Sequence, residues 1–325
     1  RSIRILPAIG TAPRGCTRNA TPAAWRCDAM HEGDAMVLTR SFVRAKRPCT
    51  DGFRWFVRQF GEGGDYQAML DGMVAAGRIG DACWLLEQFG PTDELRVVDA
   101  IEADAIVFAG TLEVRGGVDV EGVLRVGRSL QAGAGVRAGG DVQVGTDLRV
   151  EGSVRVEGDL QVGGDLRVGW GVDCAGELRC DGELRTGWDL RCGGRLRVAG
   201  NAYVGLDLQA NEGVRCAKGL QAGGDIQVEN TLRAAQGITA GGSIRAGMHL
   251  EAGWGIKAGG VIAAAGAIRA GESLAAGEAT PAGAGYGVFA GLDVQMEAWE
   301  ASARVSAPQR PEGLMSGWWA GPAAC

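Results

Sequence analysis

The chain has 325 residues, of which 56 are glycine, and although 46% of the residues are hydrophobic, only 6% are aromatic. Glycine does not recur at every third position, which excludes a collagen-like chain, and the aliphatic content argues against bulk disorder. Positive charge is concentrated in residues 1–50, with 9 Lys/Arg against 3 Asp/Glu, whereas residues 51–105 carry 4 against 11; since the folded body is not basic, we expect no nucleic-acid partner.

Residues 1–50 have no hydrophobic periodicity and are predicted to be an unstructured basic segment. The chain has no run of about 18 apolar residues, so no membrane span is expected. It has nine cysteines, an odd number, and no secretory signal pattern. Such cysteine usage is typical of a reducing compartment, and we predict a cytoplasmic protein.

Three short helices are predicted within residues 51–92. Each begins at an aspartate suited to capping, namely Asp51, Asp65 and Asp81, and each is followed by apolar residues at helical spacing. Glycines near the ends of these runs, such as Gly61 and Gly90, are expected to stop them. A solenoid needs an atypical end unit over its first coil, so this block is predicted to be an N-terminal helical cap.

A strict six-residue period runs through the centre of the chain. Every sixth residue from Ile106 to Leu274 is Val, Ile or Leu, with Ala202 as the exception. The residue two places later is smaller, and a polar residue, often arginine, lies between them. This alternation predicts three-residue strands whose apolar side chains point one way and whose charges point the other. Glycine fills most of the remaining positions and is expected to form the corners.

The hexads resemble those of hexapeptide-repeat solenoids, whose coils contain three hexads each. The resemblance implies a mainly β fold, a single-stranded parallel β-helix of about ten coils over residues 93–294, because such short strands can bury their apolar side only by stacking. The pairs Leu95/Val97, at the start, and Tyr286/Val288 and Leu292/Val294, after a break at Pro281, are predicted to continue the inward columns. Residues 295–325 are predicted to be an irregular C-terminal tail.

The polar residues that lie between the two apolar columns are often arginines. They predict arginine ladders, since residues one coil apart should stack on each other. Arg179, Arg197, Arg215 and Arg233 form one predicted ladder, and Arg149, Arg167 and Arg185 form another. A polyanion could bind such ladders, but acidic residues two places away favour a solvated, mutually neutralised face. Cys174, Cys180, Cys192 and Cys216 follow the inward small column, which favours packing over a metal site.

The sequence contains little that suggests catalysis. Hexapeptide acyltransferases resemble this chain in their repeat and use a histidine base at a subunit interface. His249 is the one histidine in the predicted solenoid, and it has no acidic partner in a suggestive pattern. No hexad carries an inserted loop like the one typical of that family. We therefore predict no catalytic, cofactor-binding or metal-binding residue, and no cofactor. A possible interaction surface is predicted at Trp170, Trp188, Tyr286 and Leu292.

By their short hexads and irregular flanks, residues 93–294 most resemble the bactofilins, polymer-forming bacterial cytoskeletal proteins. The resemblance implies a non-enzymatic structural scaffold that associates with itself, as a dimer or polymer through a solenoid end, or with another protein. An acyltransferase-like enzyme and a phage- or surface-associated protein-binding module remain alternative hypotheses.

Overall fold

The computed structural model describes residues 4–6, 36–294 and 298–322. Helices are confined to the two flanks of the repeat. They are α1 (Arg40–Ala45), α2 (Thr50–Phe60), α3 (Tyr66–Ala75), α4 (Ile79–Phe89) and α5 (Trp299–Ser302).

The described residues also form thirty-eight short strands, which turns and bends connect. The strands outside the regular repeat are β1 (Arg4–Leu6), β2 (Val37–Thr39), β3 (Gly63–Asp65), β4 (Leu95–Val98), β5 (Ala100–Ala103), β6 (Ile106–Phe108) and β7 (Thr111–Val114) before it, and β35 (Val288–Phe289), β36 (Arg304–Ser306), β37 (Leu314–Ser316) and β38 (Trp318–Trp319) after it. The regular repeat comprises β8 (Val118–Val120), β9 (Leu124–Val126), β10 (Leu130–Ala132), β11 (Val136–Ala138), β12 (Val142–Val144), β13 (Leu148–Val150), β14 (Val154–Val156), β15 (Leu160–Val162), β16 (Leu166–Val168), β17 (Val172–Cys174), β18 (Leu178–Cys180), β19 (Leu184–Thr186), β20 (Leu190–Cys192), β21 (Leu196–Val198), β22 (Ala202–Val204), β23 (Leu208–Ala210), β24 (Val214–Cys216), β25 (Leu220–Ala222), β26 (Ile226–Val228), β27 (Leu232–Ala234), β28 (Ile238–Ala240), β29 (Ile244–Ala246), β30 (Leu250–Ala252), β31 (Ile256–Ala258), β32 (Ile262–Ala264), β33 (Ile268–Ala270) and β34 (Leu274–Ala276).

The strands wind into a parallel β-solenoid with three sheets, which confirms the predicted fold. From β7 to β31, each strand pairs with the strands three before and three after it, so that Leu130 lies beside Leu148 and one coil consists of three hexads. Sheet I contains β5 to β32 with β1 at its edge, sheet II runs from β4 to β38, and sheet III runs from β6 to β37. Sheet III contributes one strand to each of 12 coils, two more than the repeat pattern predicted.

The two predicted apolar columns form the core inside the coils. The large aliphatic residue and the smaller residue two places later are buried in coil after coil, as with Leu160 and Val162, while the residue between them is exposed. Glycine suits many corner positions because stacked backbones approach closely there. A Cβ atom at Gly163 would clash with the carbonyl oxygen of Gly145 in the preceding coil.

The two ends of the solenoid differ from the sequence interpretation. The segment 295–325, predicted to be irregular, contains β36, β37 and β38, which extend sheets II and III. After Pro281 the spacing changes, since Ile268 pairs with Val288 rather than with Tyr286. A turn containing Gly285 at φ +81° accommodates the longer spacing. Tyr286 and Leu292 therefore do not continue the inward columns, and both are exposed.

In the first coil, the prediction that Leu95 and Val97 point inward is wrong. Arg96 is in register with the core residue Leu112, and the side chains of Leu95 and Val97 are exposed. Arg96 is accommodated in the inward position because its guanidinium group lies 4.6 Å from the ring centroid of Phe108, and such a cation–π contact stabilises a partly buried charge.

The helical block forms where it was predicted, although two of its starts differ. Asp65 caps α3 by accepting a hydrogen bond from Ala68 N, as predicted. The cap of α2 is the Cys49 sulfur rather than Asp51. Helix α4 begins at Ile79, without a side-chain cap. The helix α1 and the strand β2, which pairs with β3, lie within residues 1–50, the segment predicted to be unstructured.

The helical block covers one open strand edge of the first coil. The side-chain amide of Gln67 in α3 donates to Val107 O (3.1 Å), and its oxygen accepts from Ala109 N (2.9 Å). These two backbone groups lie on the side of β6 that has no neighbouring strand, so Gln67 provides the bonds that a further strand would make. The side chains of Val107 and Ala109 are buried against the helices. Beside them, β1 pairs antiparallel with β5.

The inward column can be tested at one strand. We expect Leu166→Asp to lower the free energy of unfolding by more than about 3 kcal/mol, because it buries a carboxylate that has no partner. Arg167→Gln, in the same strand, should cost less than about 1 kcal/mol because its side chain is solvent-exposed. Urea titration of the two variants measures both effects, and equal losses would contradict the assignment of the two faces.

The cap at β6 can be tested by Gln67→Leu, which keeps the side-chain volume but leaves Val107 O and Ala109 N without partners. A buried unpaired group costs about 1–3 kcal/mol, so we expect the Ala109 amide to exchange with solvent at least about 10-fold faster. Hydrogen exchange followed by mass spectrometry measures this rate. Unchanged exchange at β6 would show that Gln67 does not close the edge.

Candidate functional site: the corners, faces and ends of the solenoid

A ladder of side-chain acceptors runs along the corners of the solenoid. At ten positions of the described repeat, the residue before the large aliphatic accepts a hydrogen bond from the backbone N–H of the equivalent residue in the next coil; for example, Asp159 Oδ1 accepts from Glu177 N at 2.8 Å. The acceptors are Asp141, Asp147, Asp159, Asp165, Asp189, Asn201, Asp207, Asp225, Ser243 and His249. These residues therefore connect coils, in addition to balancing charge as the sequence suggested.

His249 belongs to this corner ladder. Its Nδ1 accepts from Ala267 N at 3.1 Å, and its ring packs edge-on against Tyr286 with the centroids 5.6 Å apart. The hydrogen bond requires an unprotonated Nδ1, which places the proton of the neutral ring on Nε2. His249, the one histidine in the predicted solenoid, thus makes contacts that connect neighbouring coils.

The arginine ladders form in the predicted register. Arg149, Arg167 and Arg185 lie side by side on sheet II, and Arg179, Arg197, Arg215 and Arg233 lie side by side on sheet III. Acidic residues neutralise most of these arginines, for example Asp165, 2.8 Å from Arg167, and Glu183, 3.1 Å from Arg185. Hydrogen bonds from Arg185 and Asn201 lower the pKa of the Glu183 carboxyl. These pairs support the predicted charge-balanced, solvated face.

The four solenoid cysteines are buried free thiols in the small inward column. Cys174 and Cys192 are in register in adjacent coils. The hydrogen bond with Cys192, together with burial, raises the pKa of the Cys174 thiol. Burial also raises the pKa of Cys180 to about 11 and that of Cys216 to about 12. The raised pKa makes Cys174, Cys180 and Cys216 poor nucleophiles. The hydrogen bond with Cys174 lowers the pKa of the Cys192 thiol, which is buried in the same column. All four pack as small apolar side chains.

Trp170 and Trp188 form an exposed pair at the corner between sheets II and I. Their rings are parallel within 7°, with the centroids 5.4 Å apart, and slightly more than half of each residue is exposed. Leu206, one coil further along, is also half exposed and extends the pair into a ridge across three coils. Leu206 was not predicted as part of this surface, although it follows Trp188 at the same spacing at which Trp188 follows Trp170.

A second concentration of exposed apolar side chains lies at the C-terminal end. It combines the predicted Tyr286 and Leu292 with residues of α5, β37 and β38; the full set is Tyr286, Leu292, Trp299, Met315, Trp318 and Trp319. The three tryptophans of this set use their ring nitrogens to bind backbone carbonyl groups, which holds the rings in place. Trp170 and Trp188 lie several coils away, so the four predicted surface residues divide between two sites.

Within the described part of the chain, no group of three or more His, Cys, Asp or Glu residues is arranged to hold a metal ion. No helix among residues 4–6, 36–294 and 298–322 is long and apolar enough to cross a membrane.

Comparison with known proteins gives a match to the helical block alone. A family model described as the YdhT N-terminal domain matches residues 36–89, which comprise α1 to α4 and the β2–β3 pair. No curated protein and no solved structure matches the chain.

The corner ladder can be tested at Asp159. We expect Asp159→Ala to lower the free energy of unfolding by about 1–2 kcal/mol, because it leaves the N–H of Glu177 without its acceptor. Asp159→Asn should remain close to the parent, since an amide oxygen can accept the same bond, as Asn201 does from Gly219 N. Urea titration compares the two variants. A loss of equal size in both would show that charge, rather than the coil-to-coil bond, is the important property.

Proposed function

We propose that this chain is a non-enzymatic structural scaffold of the bactofilin type, acting in the cytoplasm, which associates with itself through the C-terminal end of its solenoid. One observation carries the proposal: β37 and β38 are the terminal strands of sheets III and II, and exposed apolar side chains are concentrated around them. An open strand edge with apolar neighbours favours pairing with another chain.

The two ends of the solenoid are unequal, which limits the assembly. At the N-terminal end, Gln67 covers the edge of β6 and β1 covers that of β5. An assembly that grows by stacking coils needs both ends free. Two copies that meet at their C-terminal ends form a closed, two-fold dimer, whereas removal of the N-terminal block would allow further growth.

The contacts of the polar residues support a scaffold rather than an enzyme. His249 uses Nδ1 to connect two coils, and the arginines of sheets II and III pair with neighbouring acids. From β8 to β34 each strand follows the previous one at six-residue spacing. A uniform rod with charged sides and a distinct end is suited to holding partners at fixed positions. The bactofilin assignment itself rests on the hexad pattern.

Self-association can be tested by Met315→Lys. The side chain of Met315 is 68% exposed and lies in β37. We expect the parent chain to sediment as a dimer at micromolar concentration and the variant to sediment mainly as a monomer, because an edge lysine opposes strand pairing. Sedimentation velocity distinguishes the two states.

The matched control is Met36→Lys, which changes another exposed methionine, next to β2 in the N-terminal block and therefore at the opposite end of the molecule. It should leave the dimer intact. A parent chain that stays monomeric at all accessible concentrations would overturn the proposed function, and so would a dimer that both variants dissociate equally.

A further inference from the structure

The first coil has three strand edges at its N-terminal end, and one of them is open. The edge of β6 is bound by Gln67 and that of β5 by β1. Strand β4 is the last strand of sheet II, and no strand among the described residues lies beyond it.

Within the part of the chain that the structure describes, the backbone of β4 presents hydrogen-bonding groups that no further strand binds at that edge. Glu94 O accepts from Thr111 N, and Val98 O accepts from Arg115 N, so the even-numbered residues of this segment face β7. Because backbone groups alternate along a strand, those of Leu95 and Val97 point away from β7. The edge thus offers the N–H and C=O groups of two residues to an additional strand.

The outer side of β4 is apolar, unlike that of its neighbours. Val97 lies beside Glu113 of β7, which lies beside Gln131 of β10, so the same outward column is polar in the next two coils. Leu95 and Val97 are 56% and 47% exposed. This edge contains no proline and no outward lysine, the residues that commonly protect a strand from pairing.

The surroundings indicate which kind of strand would fit. Residues 51–105 carry 11 acidic against 4 basic side chains. At the adjacent edge, the first coil already accepts a strand from a distant, basic part of the chain, since β1 pairs antiparallel with β5 and Arg4 is in register with Glu102. A second solenoid end is a poor fit, because α3 contacts β4 through the ion pair of Asp71 with Arg96.

We propose that the edge of β4 is a docking site for a partner protein, which binds by adding an extended segment with alternating apolar and basic residues as a further strand of sheet II. The backbone groups of Leu95 and Val97 would supply affinity, and their side chains would pack against the apolar residues of the segment. This site is independent of the C-terminal association proposed above.

The probe for this site is a fluorescein-labelled hexapeptide with the sequence of residues 1–6, Arg-Ser-Ile-Arg-Ile-Leu. We expect its fluorescence polarisation to rise on titration with the full chain, and the amides of Leu95 and Val97 to gain protection from hydrogen exchange. Val97→Lys should weaken binding at least about 10-fold, because it places a charge against the added strand. Gln131→Lys adds the same charge two coils further along and should have no effect.

Glu102→Lys tests whether the peptide instead replaces β1 at the edge of β5. If Glu102→Lys weakens binding and Val97→Lys does not, the proposal is overturned. It is also overturned if the peptide fails to bind at millimolar concentration, or if Val97→Lys dissociates an oligomer of the chain in the absence of peptide, since the edge would then be occupied by a second copy.

Discussion

Hydrogen bonding between successive coils is the constraint on which the rest of this structure depends. The three strands of one coil belong to three different sheets, so each backbone group finds its partner one full coil away along the chain. This spacing places residues from the same position of the repeat beside each other in successive coils, as with Arg149, Arg167 and Arg185. Repulsion along this column is relieved by an acid two positions from each of these three arginines, such as Glu151 beside Arg149. The alternation of charges therefore follows from the stacking.

The sequence was sufficient to predict the solenoid because one period fixes both the strand length and the inward face. Features that depend on neighbours in space were not predictable in the same way. The capping role of Asp159 is visible only when Glu177 is stacked beside it. The inward turn of Arg96 needs the ring of Phe108 in the same coil, since hydrophobicity alone favours Leu95 at that position. Strands β36 to β38 carry no hexads, and only pairing with the preceding coils defines them.

The two ends show different solutions to the same problem of unpaired strand edges. At the N-terminal end, the side chain of Gln67 binds the edge of β6, and β1 pairs with the edge of β5. Each takes the place of the strand that a preceding coil would provide. At the C-terminal end, short strands of irregular spacing extend sheets II and III and carry exposed tryptophans. The family model that matches the chain spans residues 36–89, the same stretch that forms the helical block over the first coil.

The uniform pairing of the coils has a consequence for how the length of such a molecule can change. Because each coil of the regular repeat bonds to the next through the same backbone groups, a whole coil of three hexads can be gained or lost at the middle without disturbing either end. Each such step alters the separation of the two ends by about 4.8 Å. Duplication or loss of whole coils would therefore change the length of the molecule in fixed steps, while the helical block and the aromatic C-terminal end remain unchanged.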